Sequence, residues 1–170
     1  MPRRLRFLPA AVAYTALLML AGPAVALSCL PSGPSDAYLE AVTSDKSYVV
    51  VEGVLSFDED ALPKAPQNNV NDTPPRSLIP ARIDGKLMTR DGFSKDVDLA
   101  ITLEILCFGP WCAGAADGVD YLAFLEQRAD GYVLRFDPCG GFGFGGTNGA
   151  AREEVLACHA GQACTPWSER

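Results

Sequence analysis

Residues 97–106 read VDLAITLEIL, and their pattern is the clearest indication of the fold class. Every second residue in it is a large apolar one: Val97, Leu99, Ile101, Leu103 and Ile105. The alternate positions include three polar residues: Asp98, Thr102 and Glu104. Successive side chains of a β-strand point to opposite faces, so this alternation predicts a strand with one face in the core and the other toward solvent.

Further segments on both sides of this strand are rich in β-branched and aromatic residues or alternate in the same way. They are Ser47–Phe57, Leu78–Met88 (one strand or a pair), Val119–Gln127 and Tyr132–Phe136. The last two flank Ala129-Asp130-Gly131 and predict a hairpin.

Four Asp-Gly pairs punctuate the chain and predict tight turns, because glycine tolerates positive φ and aspartate tolerates it better than most residues. They are Asp84-Gly85, Asp91-Gly92, Asp117-Gly118 and Asp130-Gly131.

Two segments predict short helices, namely Pro34–Val42 and Ala150–His159, the latter with early acidic residues and a glycine beyond its end. Asp58–Arg76 holds four prolines and predicts a long exposed loop, and Gly140–Gly149 holds six glycines and predicts a mobile one. About five strands with a terminal helix predict an all-β fold, a small OB-type barrel stabilised by disulfides. A β-sandwich is the alternative, although sandwiches usually have about seven strands.

The N-terminus predicts export. Arg3, Arg4 and Arg6 precede an apolar run over Ala10–Ala21, and small residues lead to Ala26, which is the order of a secretory signal peptide. Residues 1–26 are therefore predicted to be removed, which leaves one domain over residues 27–170 in the periplasm or outside the cell. Cleavage before Cys29 with acylation, as in an envelope lipoprotein with a structural or assembly role, is the alternative.

The charge balance excludes two classes of partner. The full chain has 14 basic and 21 acidic residues, and loss of three arginines with the signal leaves 11 basic residues and a net charge of −10. So acidic a surface repels nucleic acid and anionic lipid. No second apolar run approaches the roughly 18–20 residues that a membrane span needs, so we expect no retained transmembrane helix.

The six cysteines are expected to form disulfides, since export brings them into an oxidising compartment. Two close pairs predict the local bridges Cys107–Cys112 and Cys158–Cys164, which leaves Cys29–Cys139 as the long-range bridge. A zinc site is the competing interpretation, with Cys107, Cys112, Cys158 and either Cys164 or His159 as ligands, although the spacings are looser than usual for zinc.

Little in the sequence indicates catalysis, and we expect neither an enzyme nor a cofactor. His159 is the only histidine, and its neighbours predict a solvated helix end. Two acidic clusters, one over residues 58–60 and the other at Asp117 and Asp120, lack the spacing of a calcium loop. Trp111 and Trp167 lie near cysteines and are expected to pack over disulfides.

Several short motifs follow one another in a familiar order: Ser28-Cys29-Leu30-Pro31, Asp36-Ala37-Tyr38, Ser44-Asp45, Val49-Val50-Val51-Glu52-Gly53-Val54, Tyr121-Leu122-Ala123-Phe124, Pro138-Cys139 and a helix ending at Cys158. This order resembles the netrin-like module of tissue inhibitors of metalloproteinases, over most of residues 27–158. The resemblance implies an OB-like fold and a monomeric protein that binds another protein.

The same resemblance implies a mode of binding. In that family the mature chain begins Cys-x-Cys, and the first residue chelates the zinc of the protease through its free amino group and carbonyl. Cys29 matches the second cysteine, so Leu27 takes the first position, where it has no thiol to form the family's bridge, and Ser28 would enter the specificity pocket. The implied partner is a zinc metalloprotease, and the implied binding residues are Leu27, Ser28, Cys29, Leu30 and Pro31.

Overall fold

The computed structural model describes residues 27–30, 32–64, 72–146 and 149–169. The predicted signal peptide over residues 1–26 and the predicted binding residue Pro31 lie outside these ranges. The elements in chain order are α1 (Pro34–Thr43), β1 (Ser47–Phe57), a 3-10 turn (Glu59–Ala61), β2 (Arg76–Thr89), β3 (Gly92–Phe108), β4 (Trp111–Cys112), β5 (Val119–Arg128), β6 (Gly131–Asp137), β7 (Gly140–Gly141), β8 (Gly143–Gly145), α2 (Ala150–His159) and a 3-10 turn (Trp167–Glu169).

The fold is mostly β-sheet, with two short helices and three disulfides, so the predicted all-β class is confirmed. The strands follow the order β4-β3-β2-β1-β5-β6-β7 in one sheet, and β8 pairs with β5. Strands β1 to β3 form an antiparallel meander, and β1 also pairs antiparallel with β5. In addition β3 pairs with β6 in parallel, with Ile101 opposite Tyr132 and Ile105 opposite Phe136.

The predicted strand over residues 97–106 lies within β3, and its alternation has the expected effect. Ile101, Leu103 and Ile105 are buried, and they join a core that has many fully buried members. Those members include Val51, Leu55, Ile83, Leu125 and Leu134. Glu104, predicted to face solvent, is only 6% exposed, because Arg76 and Arg128 bind its carboxylate.

Strand β5 is buried on both faces, from Tyr121 to Leu125. The side chain of Phe124 lies on the face opposite the inner core, with its ring centroid 6.4 Å from that of Phe142 and 6.3 Å from that of Phe144. These two phenylalanines come from the glycine-rich segment. A strand covered on both sides has a continuous apolar run, which explains why β5 does not alternate.

The Asp84-Gly85 turn prediction is wrong, because both residues lie inside β2. Gly85 is opposite Gly53 of β1, and a Cβ added to Gly85 would lie 2.1 Å from the carbonyl oxygen of Glu52. The glycine therefore serves the close approach of two strands rather than a turn. In the other three pairs the aspartate lies in a turn, and the glycine, which has positive φ, either completes the turn or begins the next strand.

The prediction of a mobile loop over Gly140–Gly149 is also wrong for its first half. Residues 140–145 contain β7 and β8, which pair with β6 and β5, and Phe142 is only 3% exposed. Glycine is needed for space, since a Cβ on Gly143 would lie 2.4 Å from the ring of Phe136. The two residues 147 and 148 lie outside the part of the chain described.

Both predicted helices are present, and α2 has the predicted limits. The amide of Gly33 donates to the Asp36 carboxylate at 2.8 Å and caps α1, and the amide of Ser35 donates to Glu154 of α2 at 3.0 Å. The predicted loop over residues 58–76 begins with the 3-10 turn and ends where β2 starts. Within the residues described, no helix is long and apolar enough to cross a membrane.

Candidate functional site

The expected binding segment lies over the end of β6. Cys29 forms a disulfide with Cys139, 110 residues away in the sequence, with a Cα–Cα distance of 5.1 Å. Ser28 and Cys29 are exposed, Leu27 is half-buried, and the side chain of Leu30 is 81% exposed. The disulfide therefore holds a largely exposed segment on the sheet, which limits the conformations that it can adopt.

A cavity of about 400 Å³ lies between this segment and α1. Ser28, Leu30 and Arg135 contribute to its lining. The guanidinium of Arg135 lies over the ring of Phe142, at 5.0 Å from the centroid, and one of its terminal nitrogens lies 3.6 Å from the Glu40 carboxylate. Arg135 thus places a cation beside the exposed segment.

The second disulfide lies at the same end of the sheet. Strands β3 and β6 run parallel and are in register as far as Ile105 and Phe136, so the segments that follow them leave the sheet at the same end. Cys107 is two residues beyond Ile105, and Cys139 is three residues beyond Phe136. Cys107 pairs with Cys112 and closes the turn between β3 and β4.

This closed turn carries two exposed aromatic residues that are opposite each other, Phe108 and Trp111. Their exposed fractions are 43% and 39%. Trp111 is predicted to pack over a disulfide, and no sequence pattern predicts a role for Phe108. The signal that identifies the pair is the short spacing Cys107-Phe-Gly-Pro-Trp-Cys112, which lets β3 end and β4 begin with an aromatic residue beside the bridge.

The two acidic clusters lie together, with hydrogen bonds that join them. The Glu59 carboxylate accepts from the amide of Asp117 at 2.7 Å, and the Asp117 carboxylate accepts from the amide of Phe57 at 2.8 Å. Asp58 accepts from the amide of Asp60 at 3.0 Å. Over the described ranges, no group of three or more acidic, histidine or cysteine side chains is arranged to hold a metal ion.

The cysteines are paired as the sequence predicts, and the third bridge joins Cys158 to Cys164. All six sulfurs are therefore bonded, and none is left as a zinc ligand, which rules out the competing zinc site in this state of the protein. His159 is the exposed last residue of α2, as predicted. Its Nδ1 lies 3.4 Å from the hydroxyl of Tyr38, whose pKa burial raises above the ordinary value of 10.0.

Trp167, predicted to pack over a disulfide, lies against the start of α1. Its indole ring lies against the backbone of Gly33, where an added Cβ would lie 2.2 Å from the ring. The indole nitrogen donates to Glu154 at 3.1 Å, and the Trp167 amide donates to Asp36. These contacts connect the C-terminal segment to the start of α1.

Comparison of the chain with protein-family models, with curated proteins and with solved structures finds no match.

Proposed function

We propose that this chain is an exported, non-catalytic protein-binding domain that acts through its N-terminal segment, and that its partner is a zinc metalloprotease. The observation that carries the proposal is the disulfide between Cys29 and Cys139, which fixes an exposed segment, including a leucine that is 81% exposed, to the end of a sheet strand. A segment held in place before binding loses less conformational entropy when it binds.

The inhibitory chemistry uses the backbone of Leu27. After cleavage behind Ala26, Leu27 has a free amino group, and its nitrogen and carbonyl oxygen can chelate one zinc ion without any thiol. Ser28 then follows as the residue that enters the substrate pocket, and Cys29 anchors both residues to β6. Backbone nitrogen and oxygen donors are compatible with the open coordination position of a catalytic zinc.

The fold that we propose for this function is an OB-type barrel of five long strands. Its support is the sequence of pairings β3-β2-β1-β5-β6, together with the parallel pairing that joins β6 back to β3. A barrel has no long free edge strands, which suits a rigid scaffold that binds through its loops and termini.

Export is supported by the three disulfides, which form in oxidising compartments. The same bridge weighs against the lipid-anchored alternative. Acylation of an N-terminal cysteine occupies its sulfur, and the sulfur of Cys29 is bonded to that of Cys139. A domain with Cys29 in this disulfide cannot carry a lipid on that atom.

The first test is the intact mass of the exported protein before and after reduction and alkylation. The proposal expects a chain that begins at Leu27 and contains three disulfides. A chain that begins at Cys29 with an added acyl mass would contradict the proposal, because the amino group of Leu27 would be gone.

The second test measures inhibition of several zinc metalloproteases by two matched proteins. One begins at Leu27, and the other keeps a single additional alanine, Ala26, before it. We expect only the first to inhibit, because the added residue moves the free amino group away from the zinc. Equal thermal stability of the two proteins is the control, and equal inhibition by both, or by neither, would reject zinc chelation.

A further inference from the structure

Beyond residue 26, four runs of nine or more residues in this acidic chain contain no charged residue and no histidine: residues 27–35, 105–116, 138–151 and 160–168. The first three are joined by the contacts described below. Charged residues make up 21% of the chain, so charge-free runs of nine, twelve and fourteen residues stand out from it. The first three segments can form one binding surface only if the folded chain brings them together.

The contacts show that it does. The disulfide between Cys29 and Cys139 joins the first segment to the third, and a Cβ on Gly140 would lie 3.7 Å from the Cβ of Ser32. The second and third segments line one cavity of about 420 Å³, to which Gly114 and Gly143 contribute. We call the surface formed by the described residues of these segments the charge-free face.

Three large apolar side chains are exposed on the charge-free face: Leu30, Phe108 and Trp111. Each is next to or within a disulfide-bonded segment, which limits its mobility. The centres of protein interfaces are depleted in charged residues and enriched in aromatic ones, and tryptophan is the most frequent anchor. The composition of the charge-free face therefore matches the centre of a protein interface.

Acidic residues border this face where the second segment ends, and beside Leu30 the Glu40 and Asp137 carboxylates outnumber the single cation of Arg135. Asp117 and Asp120 follow it in the chain, and the Glu59 carboxylate binds the amide of Asp117. Gly146 in the third segment donates its amide to the backbone carbonyl of Asp120, so the acidic border also adjoins that segment. Complementary charge at an interface rim favours association, so a partner with basic residues around its contact patch fits this border.

We propose that the charge-free face is the contact surface for a partner protein that presents an apolar patch surrounded by lysine and arginine residues. This inference rests on the proposed protein-binding function and names the chemistry of the partner. It adds Phe108 and Trp111 to Leu30 and the rest of the N-terminal segment as binding residues.

The test uses the oxidised protein from Leu27 onward as bait for a displayed library of short random peptides. We expect enrichment of peptides that combine Trp, Phe or Leu with Lys or Arg. Binding of the selected peptides should weaken about tenfold or more in Leu30→Ser and in Trp111→Ser, as for interface anchors. The matched control is Val42→Ser, because Val42 is 59% exposed but lies on α1 outside the face.

A further variant tests the charge of the border. Asp120→Lys should weaken the binding of the basic peptides and should not reduce the thermal stability of the protein, because Asp120 is exposed.

No enrichment, enrichment of acidic peptides, or binding that is unaffected by the Leu30 and Trp111 variants would overturn the proposal. If the parent protein self-associates in sedimentation and these variants abolish the association, the face binds a second copy of the chain instead. If the parent protein binds phosphatidylcholine vesicles and these variants do not, the face binds a membrane instead.

The peptide experiment does not depend on zinc chelation. The protein with the additional N-terminal alanine keeps the charge-free face, so it should bind the selected peptides even if it inhibits no protease. Peptide binding without any protease inhibition would reject the metalloprotease proposal alone. Inhibition that is insensitive to Leu30→Ser and Trp111→Ser, together with failure of the peptide selection, would reject the face alone.

Discussion

Single residues explain two features of the sheet that no periodicity predicts. Gly53 and Gly85 are opposite each other on β1 and β2, so the strands approach closely at a point where side chains would collide. Glu126 accepts hydrogen bonds from Arg128 at 2.9 Å and from Lys46 at 3.1 Å. Arg128 also pairs with Glu104, so the four side chains form one ion-pair network. Both features depend on atoms that are far apart in the sequence.

We expect Gly85→Ala to destabilise the protein by about 1–3 kcal/mol, the usual cost of overpacking. Its Cβ would lie 2.1 Å from a backbone oxygen, which cannot move aside without disturbing β1. Gly114→Ala is the control, because its Cβ would meet no atom within 4 Å. Urea unfolding measures both variants, and an equal free energy of unfolding for the two would contradict the close approach.

The network also predicts how stability depends on pH. Hydrogen bonding to Arg128 lowers the pKa of Glu126 from 4.5 to about 2. A carboxyl whose pKa is lower in the folded chain stabilises the fold above its unfolded value, and this contribution is lost as pH falls from about 4.5 toward 2.

We therefore expect Glu126→Gln to lower the free energy of unfolding at pH 7 and to reduce the loss of stability between pH 4.5 and 2. Urea unfolding at a series of pH values tests this expectation. The exposed Asp96, paired with Lys86, supplies the control variant Asp96→Asn, which should change the pH dependence little. A Glu126→Gln protein with an unchanged pH dependence would show that the network does not contribute.

At the scale of elements, the glycine-rich segment behaves as part of the core. Phe142 is stacked on Tyr48, with ring centroids 5.2 Å apart, and its amide and carbonyl bond to Arg135 and Phe124 on the two neighbouring strands. Strands β7 and β8 on either side have almost no side chains of their own. The glycines therefore let the backbone lie close to β5 and β6 while one phenylalanine fills the space beneath α1.

This packing predicts that Phe142→Ala costs about 3–5 kcal/mol, as expected for deletion of a buried aromatic side chain. Phe108→Ala is the control, since Phe108 is 43% exposed and should cost far less. Denaturant unfolding compares the two, and hydrogen exchange of the amides in residues 140–145 reports on the segment itself. Fast exchange in the parent protein would contradict its place in the core.

At the scale of the whole molecule, one disulfide ties the N-terminal segment to the end of β6 and two others close short loops. The cross-link between Cys29 and Cys139 spans 110 residues, and that between Cys107 and Cys112 spans five. A longer loop loses more entropy in the unfolded chain when it is closed.

The paired variant Cys29→Ser/Cys139→Ser should therefore lose about 4–5 kcal/mol, against about 2 kcal/mol for Cys107→Ser/Cys112→Ser, by the loop-closure entropy argument. Replacing both partners avoids a free thiol in either case. Thermal unfolding at matched concentration ranks the variants. A smaller loss for the long-range pair than for the local one would contradict a mainly entropic role.

Local sequence patterns are enough to predict the local elements. Alternation in residues 97–106 identified the central strand, the acidic start of residues 150–159 identified α2 with its observed limits, and close spacing identified two of the disulfides. Each of these depends on neighbours within a few positions, where the backbone period and the spacing of residues constrain the outcome.

Contacts between distant parts of the folded chain establish which surfaces meet. It placed Gly85 inside a strand, buried Glu104 between two arginines and packed Phe142 into the core. The charge-free runs are visible in the sequence, but only the parallel pairing of β3 with β6 and the Cys29–Cys139 bridge bring them to one end of the molecule. Such contacts join residues that are distant in the chain, so packing and pairing determine them rather than any local pattern.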